Sequence, residues 1–79
     1  MNNQDKLIGA FSNALMVDKN MIVDDLKYQS IPEWDSISHM ILITEIEDVF
    51  DVSIKTDDVI DMSSVSKAKE ILTKYGTEF

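Results

Sequence analysis

Apolar residues recur at helical spacing in three parts of this 79-residue chain, and each stripe marks an element. Leu7, Phe11, Ala14 and Leu15, with Ile8 beside them, share one face and predict an amphipathic helix over roughly residues 3 to 16. Gly9 weakens it only locally. Leu42, Ile43, Ile46, Val49 and Phe50 form the cleanest stripe and predict a second helix from Ser36 to about Asp51, with Asp35 as its N-cap. Val65, Ala68, Ile71, Leu72 and Tyr75 predict a last helix, capped by Ser63 or Ser64 and ended by Gly76. Thr56 to Ile60 can form a short third helix, capped by Thr56, with Asp57 and Asp58 in the first turn where the helix dipole favours acids.

Between these stripes the periodicity fades. From Val17 to Trp34 the chain reads as a long loop held to the core by Ile22, Val23, Leu26, Ile31 and Trp34, with Pro32 excluding helix just before the next element. Val52 to Ile54 alternates like a short strand, too short to insist on. The prediction is an all-α fold: a small four-helix bundle with a long first loop and a short third helix, one domain over residues 1–79. The length allows one small core and leaves little room for a deep catalytic cleft.

The second helix carries a second apolar face. Advancing 100° per residue, Ile37, Met40, Ile41 and Thr44 fall opposite the core stripe, next to Ser36 and bordered by Glu45, Glu47, Asp48 and Asp51. An apolar centre with a charged rim suits a docking surface. Ile41 and Thr44 are expected to stay exposed, whereas Trp34 and Ile31 could fold over Ile37 or Met40.

Charge sharpens this picture. The chain has a formal net charge of −8, with seven lysines, no arginine and no cysteine. Residues 33 to 61 hold nine acids against Lys55 alone, so the whole excess lies around the second helix. This balance argues against nucleic acid and against anionic membrane surfaces, both of which recruit clustered Lys and Arg. Such a run usually marks a solvated face; around Ser36 it would also steer basic partners. No disulfide or thiolate chemistry is available without an added group. No segment reads as a secretory leader or membrane span, so a cytoplasmic protein is expected.

Ser36 is the chemically suggestive residue. In the first turn of a helix, unpaired backbone N–H groups and the positive dipole end favour a phosphate ester on its hydroxyl, although an Asp-Ser pair by itself most often only caps a helix. Ser36 and His39 stand one turn apart, but no oxyanion hole or walled pocket accompanies them, so hydrolysis is not expected. His39 is the sole histidine and is assigned to solvent, and no metal site is predicted. Asp57, Asp58 and Asp61 lack the alternation and central glycine of an EF-hand. The methionines read as core filler or flexible interface.

The stretch WDSISHMILITEIEDVFDVSI, residues 34 to 54, resembles the phosphopantetheine attachment region of acyl carrier proteins, where an Asp-Ser-Leu motif opens the second helix and an acidic turn closes it. Weaker similarity spans the whole chain. The resemblance implies a non-enzymatic carrier, Ser36 bearing 4′-phosphopantetheine donated by coenzyme A, with Asp35 as its motif partner. It also implies partner contacts through Ile37, Met40, Thr44, Glu47 and Asp48, and the exposed Ile41 on the same helical face joins them as a candidate contact. The implied partners are a phosphopantetheinyl transferase and acyl-loading and acyl-processing enzymes with basic docking patches, and a monomer is expected. Ile37 stands where the motif has Leu, a volume-conserving change. Ser38 and Ile41 stand where carriers of general fatty-acid synthesis tend to have acids, which favours a specialised biosynthetic pathway. An aminoacyl or peptidyl carrier, or an unmodified acidic adaptor, would share these features, and the sequence leaves the cargo open.

Overall fold

A computed structural model describes residues 2–79. Four helices follow one another: α1 (Asn3–Leu15), α2 (Ser36–Phe50), α3 (Thr56–Asp61) and α4 (Val65–Lys74). The protein is all-α, as the periodicity predicts. The long first connection contains one 3-10 turn at Lys19–Met21, and residues 52–54 form no strand among the described residues.

The ends of the helices follow from local chemistry. The Asn2 side chain caps α1 by accepting from the Asp5 N–H at 2.8 Å. α1 and α2 both stop where one residue turns left-handed, Met16 at φ 57° and Asp51 at φ 54°. The next amide then reaches back to the helix, Val17 N–H to Ser12 O and Val52 N–H to Glu47 O. Gly76, at φ 97°, ends α4 the same way, with Thr77 N–H on Leu72 O and Gly76 N–H on Thr73 O. Ser64 caps α4, accepting from Lys67 N–H at 3.0 Å. Thr56 does not cap α3: it is already helical, and Lys55 occupies the cap position without a side-chain bond.

The core unites Leu7, Phe11, Leu42, Ile46, Val65, Ile71 and Leu72 from three helices with Ile22, Leu26 and Trp34 from the loop. Trp34 is fully buried, edge-on to Phe11 at 5.3 Å and to Tyr28 at 6.0 Å. Truncating such a ring to alanine typically costs about 3–5 kcal/mol, so the loop's final residue is a main anchor of the fold. Two expected core residues face outward. Val23 is exposed because its neighbour Ile22 takes the inward place, and Val49 is exposed in the last turn of α2, where Phe50 turns in toward Phe79. Backbone bonds Tyr28 N–H to Ser63 O and Val65 N–H to Leu26 O tie the loop to the start of α4.

Candidate functional site

Residues 33–40 make the site. Asp35 Oδ1 accepts from the backbone N–H groups of Ile37 at 3.1 Å and Ser38 at 2.9 Å. Ser38 Oγ accepts in return from Asp35 N–H at 2.9 Å and donates to Glu33 O at 2.6 Å, closing a capping box. The bond from Ser38 N–H, then the Ser38 hydroxyl and Ile37 N–H, hold the Asp35 carboxyl below its usual value of 3.8. Asp35 and Ser38 thus perform the capping, and Ser36 between them is exposed in the first helical turn.

Beside Ser36 lies a cleft of about 360 Å³, lined mainly by apolar atoms of Tyr28, His39, Met40, Val59, Ile60 and Met62. α2 supplies one wall and α3 another. An exposed hydroxyl at a helix N-terminus, free of the capping box, fits a phosphate ester, and the neighbouring cleft suits an apolar chain. The Asp35 carboxylate opposes an added phosphate charge, an opposition that water screens at this exposed position.

The structure places the predicted surface residues as follows. Ile37 is 75% exposed and Met40, Ile41, Thr44 and Asp48 are exposed too. Trp34 lies beneath this face in the core, so it does not cover Ile37 or Met40, and Ile31 leaves both exposed. The Thr44 hydroxyl turns back to Met40 O at 3.1 Å. Glu47 is half-buried, and its Oε2 accepts from Ile54 N–H at 2.9 Å, which fixes the chain leaving α2. Ser38, counted from sequence only as a missing acid, is part of the cap.

Two features escape the sequence reading. His39 is not solvated at the surface: its Nδ1 lies 3.0 Å from Trp34 Nε1, its Nε2 2.8 Å from Val59 O, and its ring plane lies within 23° of the Trp34 indole plane, with centroids 6.1 Å apart. Ile60, on α3, is 77% exposed and borders the cleft facing α2. Periodicity in a helix of six residues is too short to show which of the adjacent Val59 and Ile60 turns inward; the fold packs Val59 against the core and leaves Ile60 outside.

A curated acyl carrier protein of Lactobacillus johnsonii (strain CNCM I-12250 / La1 / NCC 533) is 29% identical to this chain over 70 residues, covering 89% of the chain and 88% of that protein. No family model matches the chain, and no solved structure matches it. Together with the motif at residues 34–37 and the helical fold, the likeness supports the acyl carrier protein family.

Proposed function

We propose that this chain is an acyl carrier protein whose Ser36 hydroxyl bears 4′-phosphopantetheine. The observation that carries the reading is Ser36 itself: exposed in the first turn of α2, flanked by the two residues that cap the helix, and opening onto an apolar cleft. A phosphopantetheinyl transferase joins Ser36 Oγ to the pantetheine-bearing phosphorus of coenzyme A. The diphosphate bond breaks, adenosine 3′,5′-bisphosphate leaves, and the serine proton passes to a base of the transferase. Once bound, the group supplies a terminal thiol for thioester carriage, which this cysteine-free chain cannot supply from its own side chains.

The chain's own residues provide the anchor and the address. Asp35 and Ser38 fix the helix terminus on which the phosphate sits. Ile37, Met40, Ile41 and Thr44, with Asp48 at the rim, offer partner enzymes an apolar centre in acidic surroundings, complementary to basic docking patches. Glu47 contributes from beneath by setting the course of the chain after α2. The exposed Ile41 and the cap-forming Ser38 leave this face less acidic at its start, which suits a dedicated pathway over general fatty-acid synthesis. The carrier is proposed to work as a cytoplasmic monomer and to leave catalysis to its partners.

The test is intact mass after incubation with coenzyme A and a phosphopantetheinyl transferase. The wild-type chain gains one phosphopantetheine, and Ser36→Ala, correctly folded by circular dichroism, gains none. Modification of Ser36→Ala, or attachment mapped to Ser30, Ser38, Ser63 or Ser64, defeats the assignment.

A further inference from the structure

Helix α3 has six residues, too few to persist in water without tertiary support, so its place depends on its attachments. On the α4 side, Asp58 accepts from Lys74 Nζ at 2.7 Å and from the Tyr75 hydroxyl at 2.6 Å. On the α2 side, Val59 O meets His39 Nε2 at 2.8 Å. The indole N–H of Trp34 can only donate, so His39 Nδ1 is the acceptor and the imidazole proton sits on Nε2, which donates to Val59 O. Trp34 is itself immobilised in the core, so the imidazole is oriented from within the protein. His39 and Val59 both line the cleft beside Ser36, one from each helix, and Met62 lies in the same cleft at 1% exposure.

We propose that His39 is a latch. Its neutral ring, aimed by Trp34, holds α3 against α2 across the cleft, and the cleft opens to Met62 when the His39–Val59 bond breaks. The consequence for cargo rests on the proposed carrier function: a chain tethered at Ser36 reaches the cleft interior in proportion to how often the latch is open. His39 is therefore a positioning residue acting through α3.

Two substitutions separate its two bonds. In His39→Gln the amide nitrogen can take the place of Nε2 and still donate to Val59 O. In His39→Asn the amide oxygen can take the place of Nδ1 and accept from Trp34, but the side chain falls short of Val59. Both are measured on the unmodified protein, by amide hydrogen exchange and by the rate at which hydrogen peroxide oxidises Met62, with Met16, 88% exposed, as internal control. Losing one such bond should speed exchange at Val59, Ile60 and Asp61, and oxidation of Met62, about tenfold in His39→Asn, while His39→Gln stays within about threefold of wild type. Exchange in α1 and oxidation of Met16 should not change. Equal behaviour of the two variants overturns the latch, as does Met62 oxidation that rises only in step with exchange in α1. Neither readout needs a group on Ser36, so the latch is decided separately from the mass test of Ser36.

Discussion

Met16 and Asp51 end their helices in the same left-handed conformation, yet they are not equally suited to it. At positive φ any Cβ crowds a backbone carbonyl oxygen, and a short polar side chain can offset this by local hydrogen bonding that methionine cannot make. Met16 also gains little from packing, being almost wholly exposed. Met16→Gly should relieve the clash, offset in part by the larger entropy of an unfolded glycine, for a net gain of about 0.5–1 kcal/mol. Urea unfolding monitored by circular dichroism checks this, and an unchanged or lower midpoint would speak against strain at Met16. The contrast between Asp35 and Ser38 shows what was legible at this scale. Asp35 announces itself as a cap by residue type and position. Ser38 does not, because the return bond of a capping box is usually made by Glu or Gln; its hydroxyl manages it here by also donating to Glu33 O.

Among the elements, α3 was legible as a short helix but its attachment was not. Asp58 reads from sequence as a first-turn acid facing the dipole, while its partners Lys74 and Tyr75 lie 16 and 17 residues further on, beyond the reach of local pattern. The place of His39 is hidden from local pattern for the same reason, since Val59 O is 20 residues away. The Lys74 bond, then the Tyr75 bond, lower the Asp58 carboxyl from 3.8, and the same contact raises Lys74 from 10.5. A depressed acid contributes stability that is complete above its unfolded value and lost as pH falls through its folded value. A raised lysine contributes below its unfolded value and loses it as pH climbs through the folded one. The clasp is therefore whole across neutral pH. Asp58→Asn should melt at a lower temperature than wild type at neutral pH, with the gap narrowing as the pH drops below 3.8 and wild-type Asp58 takes up its proton. Calorimetry across that range is the check, and a gap that stays constant to the acid end would mean that the Asp58 charge is not what fastens α3 to α4.

At the scale of the whole molecule, the uneven charge was readable directly, because position along the chain already confines nine acids to residues 33–61. The fold adds how few of them are neutralised. Among the described residues, Asp58 pairs with Lys74 and Asp61 lies 3.5 Å from Lys67, while Glu47 is spent on a backbone amide. Asp48 and Asp51 remain exposed near the end of α2, where like charges repel through water over a distance set by ionic strength. Folding gathers these charges and the unfolded chain spreads them, so the repulsion weighs on the native state more heavily. Salt shortens its range without touching the apolar core. The melting temperature at neutral pH should therefore rise between about 10 mM and about 300 mM sodium chloride, as the screening length falls from ~30 Å to below ~8 Å. The double substitution Asp48→Asn with Asp51→Asn leaves a left-handed position that asparagine accepts, so it should reduce the salt response without dismantling the end of α2. A melting temperature independent of salt, or a salt response of equal size in the double variant, would show that the acidic run around Ser36 is already tolerated by the fold and is not a source of self-repulsion.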